Sequence, residues 1–385
     1  MTASTLDAVE LVRVRLPLVE PWVTAAGTVT ERDALLVRVQ VGGVEGWGEC
    51  VAEAAPTYSS EYVDGAWDVL RRFLIPALLA AEPCAGAEVA PALAGFKGHR
   101  MAKAALEAAV LDAELRGAGV SMAEHLWSCS TWRPPGGPAP KRPHRVASGV
   151  AVGISGSVPQ LLAEVSRRVD EGYRRVKLKV HPGWDVEPVG AVREAFADLA
   201  LQVDANGAYA AMGSAASAAV KELDRFGLLL VEQPLADDDL VGHAALAEAI
   251  STPVCLDESI VSFETAEAAL ALGACSVVNI KAGRVGGYLE AVRIHDLCAA
   301  AGVPVWCGGM LETGVGRAAN LALATLANFA LPGDLSASGR FWAADVVRDP
   351  IRLEADGTIR VPDGPGSGAE VIDLAPWTLR RCRLG

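Results

Sequence analysis

Between Lys177 and Lys281 the chain closes each of five short apolar runs with a residue able to do polar chemistry: Lys179, Asp204, Glu232, Asp257 and Lys281. The steps of 25, 28, 25 and 24 residues each fit one strand, one helix and two short loops. β-rich runs alternating with helical segments predict a parallel sheet of βα units. When such units close into a (β/α)₈ barrel, the C-terminal strand ends meet at one mouth, where these folds carry their chemistry. Five units in register therefore bring two lysines and three acids to one cavity.

The strands also predict which way the side chains point. Residues i and i+2 share a strand face, so Lys177 and Lys179 oppose Val176, Leu178 and Val180, and Asn279 and Lys281 oppose Val278 and Ile280. The apolar set belongs against helices, and the lysines then face the barrel axis. Unpaired charge there is costly, but carboxylates nearby supply partners. Asp204, Glu232 and Asp257 around one point repel each other unless a hard divalent cation sits among them. Mg²⁺ or Mn²⁺ accepts such oxygen ligands and leaves positions for water or substrate. Lysines on either side of that cation suit removal of a proton next to a carboxylate, with metal and ammonium charge stabilising the enediolate. Lys177 beside Lys179 is expected to lower its pKa. Taken singly, each acid or lysine reads as a solvated loop residue or a core ion pair; the signal is the register.

The surrounding text resembles one family closely. Gly46-Trp-Gly-Glu-Cys50, Tyr58-Ser-Ser-Glu-Tyr62, Phe96-Lys-Gly-His-Arg-Met101, Lys177-Leu-Lys179, Asp204-Ala-Asn206, Glu232-Gln-Pro234, Asp257-Glu-Ser259, Asn279-Ile-Lys281, Gly283-Arg-Val-Gly-Gly287 and Gly308-Gly-Met-Leu-Glu-Thr-Gly314 resemble the enolase superfamily, muconate-lactonizing subgroup. Within it they resemble the o-succinylbenzoate synthase and N-acylamino acid (N-succinylamino acid) racemase family. The resemblance implies an α/β chain: a (β/α)7-8 TIM-like barrel with an N-terminal α+β capping domain. It implies acid/base roles for Lys179 and Lys281, support from Lys177, Asn206 and Glu258, and metal ligation by Asp204, Glu232 and Asp257. It also implies a small-molecule carboxylate substrate contacted by Trp22, Glu53, Tyr58, Gly309, Met310 and Glu312, and a homo-oligomer. The boundaries expected are a cap over 1–126, a linker over 127–145, a barrel over 146–344, and a tail over 345–385 returning to the cap.

In chain order, residues 6 to 50 alternate like strands, broken by a predicted loop from Pro21 to Gly27 whose part around Trp22 to Ala26 closes over substrate in the family, as does a second loop near Cys50 to Tyr58. Helical spacing follows from Tyr62 to about Gly117, interrupted by Pro83. Residues 127–145 hold five prolines and two glycines, a linker signature. The barrel is expected to start at Val146 to Val152; strands beyond Leu331 are weakly marked. Glycine-rich backbone at Gly308 to Gly314 offers N–H groups to a substrate carboxylate, or simply a tight turn. His181 reads as a loop residue near the mouth, and Cys255 as core filler.

Composition narrows the partners. A net charge of −13 argues against nucleic acid and anionic membrane surfaces. Eight cysteines without a C-x-x-C pair read as reduced thiols, and with no leader or long apolar run the expected location is the cytoplasm. Departures at Ala26, Glu53, Ala151 and Ala282 bear on the substrate. Glu53 in particular would repel a succinyl carboxylate and favour a neutral or cationic distal group if its side chain faces the cavity. N-acylamino acid racemisation leads, with dehydration to o-succinylbenzoate on the same apparatus. A racemase, epimerase or cycloisomerase of the superfamily with another substrate, a metal-free Schiff-base lyase and a non-catalytic binding barrel stay open.

Overall fold

The computed structural model describes residues 5–24, 27–81, 85–134 and 140–385. Three long N-terminal strands, β1 (Leu6–Thr24), β2 (Gly27–Val41) and β3 (Val44–Cys50), form an antiparallel sheet, and the C-terminal strand Thr378–Leu384 adds to its β1 edge. Their alternation buries one face against the helix Arg100–Ala118. The glycines of Gly46-Trp-Gly48 make that packing possible: a Cβ at Gly48 would lie 2.1 Å from the Ala105 carbonyl, and one at Gly46 2.2 Å from that of Ala109. Instead of a loop from Pro21, the hairpin resumes pairing at Trp22↔Val29 after a bulge that follows Pro17. Ala25 and Ala26, like Pro83 and Cys84, lie outside the described residues.

After a short strand β4 (Arg145–Ala147), which pairs antiparallel with Thr358–Arg360, come seven parallel strands: β5 (Gly149–Val152), β6 (Arg175–Lys179), β7 (Ala200–Asp204), β8 (Val231–Glu232), β9 (Val254–Leu256), β10 (Val277–Ile280) and β11 (Val305–Cys307). Their order in the curled sheet is their order in sequence, which is what repeated right-handed βα crossovers produce. Val176, Leu178 and Val180 pack into the layer beneath the helices with Val278 and Ile280, so Lys177 and Lys179 face the axis as period two requires.

Among the described residues no regular eighth strand closes the barrel. Segment 328–335 takes that place irregularly. Phe329 bridges Val305, Gly333 bridges Ser148, and the Gly149 amide donates to the Gly333 carbonyl at 2.7 Å. Pro332-Gly333 cannot sustain a ladder, because proline has no N–H to give. The proline-rich stretch differs from expectation at its start: Trp127 to Cys129 complete a helix from Met122, capped by the Ser121 hydroxyl. Ser130, Thr131 and Trp132 then donate to the Asp296 carboxylate; residues 135–139 of the predicted linker lie outside the described ones.

Two glutamates clasp the N-terminal sheet and helix to the barrel. Glu49, on β3, accepts from the amides of Thr313 and Gly316 at the start of the helix Gly314–Leu323. Glu107, on the Arg100–Ala118 helix, accepts from the Leu289 amide at the start of the helix Tyr288–Ala300. Helix N-termini suit acids, yet burial pushes both carboxyls up to about 7. No helix among the described residues is long and apolar enough to cross a membrane.

Candidate active site

A cavity of about 600 Å³ opens at the C-terminal ends of the parallel strands, under the N-terminal sheet's loops. From the predicted set, Lys177, Lys179, Asp204, Asn206, Glu258, Lys281, Trp22, Glu53, Tyr58, Gly309, Met310 and Glu312 all line it; Glu232 and Asp257 do not, standing behind the wall fully buried. The β6, β7 and β8 ends supply most of the polar floor because consecutive parallel strands are in register, Lys179 beside Asp204 and Asp204 beside Glu232.

Lys177 sits at the centre of the charge network. Its Nζ lies 2.7 Å from Asp334, 2.9 Å from Glu232 and 3.1 Å from Asp204, over the Trp306 ring. Burial opposes its charge, but Asp334, Glu232 and Asp204 outweigh it and hold the amine above the ordinary lysine range. Lys177 is a fixed cation that gathers three carboxylates, a role the sequence did not announce. Lys179 takes Asp204 at 2.7 Å and the Asn206 side-chain oxygen at 2.5 Å. Lys281 takes Asp257 at 2.8 Å and the Tyr58 hydroxyl at 3.2 Å. Burial pushes Lys281 down, while Tyr58, Glu258 and Glu232 push it up, leaving it raised with the acids paired as they are.

The predicted acid trio is engaged by the chain's own cations. Asp257 pairs with Lys281 and Arg284 and accepts from the Tyr58 hydroxyl; both cations are buried, and a buried carboxylate takes the nearest ones. Among the described residues no three acids, histidines or cysteines stand in ion-holding geometry. The acids that remain together are under mutual strain. Burial and then the Asp204 charge push Glu232 up to about 7, and the same two causes raise Glu258, whose Oε2 is buried without a partner. Asp204 itself is held well below the usual range, Lys179 and Lys177 overcoming its burial. A floor of crowded carboxylates with an unmatched oxygen fits a divalent cation.

Only part of the backbone from Gly308 to Gly314 is committed to the chain's own acids. Met310 N donates to Glu312, Thr313 N to Glu49 and Gly314 N to Asp345. Glu312 is itself held by Asn320. Among the described residues His181 bonds only its own loop, and Cys255 fills the core beneath Trp306.

Several site residues escaped the sequence reading. Asp334 lies in the unmarked eighth segment, Arg317, Ser336 and Phe341 come from beyond β11, and Gln233 is adjacent to a motif acid. Arg284 is one helical turn past Lys281 and donates to Asp257, to the Ile260 carbonyl at 2.6 Å and to the Asn279 carbonyl at 2.6 Å. Asn279, read as inward-facing, donates to Glu232 at 2.8 Å.

The sequence matches two family models: the mandelate racemase / muconate lactonizing enzyme N-terminal domain over residues 7–126, and the enolase C-terminal domain-like family over 160–375. It is 58% identical, over 95% of each chain, to an N-succinylamino acid racemase of Amycolatopsis sp. It is 46% identical to an o-succinylbenzoate synthase of Geobacillus kaustophilus, covering 96% of this chain and 94% of that one. A solved enolase-superfamily member from Listeria innocua superposes with a TM-score of 0.90 at 36% identity, covering 99% of both chains.

Proposed function

Because the chain belongs to the enolase superfamily, we propose that it removes and returns the α-proton of an N-acylamino acid, with dehydration to o-succinylbenzoate as a second reaction of the same site. The observation that carries this reading is the pair Lys179 and Lys281, which enter one cavity from strands separated by three others, with carboxylates between them. One amine as base takes the proton from its face of the α-carbon, giving the enediolate of the substrate; the other, as ammonium, delivers a proton to the opposite face. In dehydration Lys179 is the base, while Lys281 stays cationic and stabilises the developing charge.

Asp204 and Glu232 would hold a divalent cation, Mg²⁺ or Mn²⁺, with Asp257 as third carboxylate. The neighbouring Glu258, whose buried oxygen has no partner, supports that site. Such a cation would supply positive charge to neutralise the substrate carboxylate. Lys177 orients Asp204 and Glu232, Asn206 positions Lys179, and Tyr58 positions Lys281. A metal-free Schiff-base mechanism would leave the crowded carboxylates of the cavity floor without a role.

The test is α-proton exchange in D₂O with both enantiomers of N-acylamino acids, in wild type, Lys179→Ala and Lys281→Ala. Each single variant should lose exchange from one enantiomer only, by at least about 10³-fold, and EDTA should abolish exchange in all until Mg²⁺ or Mn²⁺ is restored. Equal loss for both enantiomers in one variant and none in the other would rule out two-sided chemistry.

A further inference from the structure

Arg175, Lys177 and Lys179 stand in a column on the inward face of β6, each two residues from the next. Lys177 and Lys179 reach the carboxylates proposed to hold the divalent cation. Arg175, among the described residues, pairs only with Asp334, at 2.6 Å. Its guanidinium is fully buried, donates to the Pro332 carbonyl and shares the face of Trp306 with Lys177. The chain leaves room for it: a Cβ at Gly149 would lie 2.2 Å from the Arg175 Cζ.

Asp334 divides its two oxygens between these neighbours, Oδ1 accepting from Arg175 and Oδ2 lying 2.7 Å from the Lys177 ammonium. Its main chain is fixed as well, the Asp334 amide donating to the Cys307 carbonyl at 2.9 Å. An ammonium has three N–H donors, and Lys177 has three acids around it: Asp334, Glu232 and Asp204. Asp334 therefore draws part of the Lys177 charge away from the two proposed metal ligands. It also lines the cavity, where little water screens its charge from the floor.

We propose, resting on the divalent-cation reading above, that Asp334 is a positioning residue for the metal floor. It takes up part of the Lys177 charge so that Asp204 and Glu232 stay free to bind a cation, and Arg175 tempers it from the other side. The two residues then set cation affinity with opposite signs. Without the Asp334 charge, Lys177 turns wholly to Asp204 and Glu232, and the floor gains one positive charge. Without the Arg175 charge, Asp334 stands uncompensated and the floor gains one negative charge. A merely structural pair would weaken binding whichever partner was lost.

The test titrates Mn²⁺ alone into the full-length chain, without substrate, and reads free Mn²⁺ by electron paramagnetic resonance. Wild type, Asp334→Asn, Arg175→Met and the double variant are compared, each first shown to unfold cooperatively on heating. Asp334→Asn should raise the Mn²⁺ Kd by about 10–100-fold, the range for groups that orient metal ligands. Arg175→Met should lower it on the order of threefold, as one charge acting across the Asp334 carboxylate would. The double variant, with the charge balance restored, should bind more tightly than Asp334→Asn. An unchanged Kd in Asp334→Asn, or a weakened one in Arg175→Met, overturns the assignment while leaving the metal reading intact. Should Arg175→Met not fold, a double variant as weak as Asp334→Asn overturns it instead. If wild type binds no Mn²⁺, the metal reading fails and this assignment falls with it.

Discussion

Replacing Asp334 by Asn removes the carboxylate that joins two buried cations. Asp334 lies 2.6 Å from Arg175, whose side chain is 0% exposed, and 2.7 Å from Lys177. Breaking a buried pair by deleting one partner costs about 3–5 kcal/mol. Lys177 keeps Asp204 and Glu232, and Arg175 keeps the Pro332 carbonyl, so the lower end, about 3 kcal/mol, applies. Unfolding entropy of about 2 cal/mol/K per residue gives roughly 0.8 kcal/mol/K for this chain, hence a Tm lowered by about 4 °C at pH 7. The sign with pH is fixed too. Asp334 is held well below the ordinary carboxylate range, with Lys177 and then Arg175 overcoming its burial. Its contribution is therefore complete above the unfolded pKa near 4 and is lost as pH falls through the folded value. Scanning calorimetry should find the same gap between wild type and variant at pH 6 and pH 8, narrowing below about pH 4. Because the cost is an orphaned cation, Arg175→Met combined with Asp334→Asn should destabilise less than the two changes summed. A gap under about 1 °C, or one that widens with acid, would refute the claim that Asp334 is the counter-ion of this network.

Glu107 gives the opposite pH dependence. Burial raises its carboxyl to about 7, above its unfolded value. Its stabilising contribution is present below about pH 4.5 and is lost as pH rises through 7, by about 3 kcal/mol at most. Urea midpoints at pH 5 and pH 8 should differ less in Glu107→Gln than in wild type, and an unchanged difference would count against a raised Glu107. Gly48→Ala should destabilise by about 1–3 kcal/mol, since its Cβ would meet helix backbone at 2.1 Å; a urea midpoint equal to wild type would show that helix and sheet are free to separate.

The order and orientation of the parallel strands were legible because both follow from local periodicity. Lys177-Leu-Lys179 and Asn279-Ile-Lys281 state by alternation which side chains face the axis, and the near-constant spacing places their strand ends at one mouth. Asp334 was not legible: it sits where Pro332-Gly333 breaks the ladder, so no period marks it, and only the seating of its segment between β11 and β5 carries it to Lys177. The hairpin through Trp22 was read as a loop for a related reason, since proline masks a pairing set by the partner strand. Partner choice among the charges was equally out of reach of sequence. Asp257 takes Lys281 and Arg284, and that outcome depends on which buried ions lie closest once the chain has folded. So the primary structure fixed the repeat, the strand faces and the residue types at the mouth, which depend on near neighbours. The tertiary structure alone decided which charge neutralises which, because Coulomb energy and desolvation depend on distances in space between residues far apart along the chain.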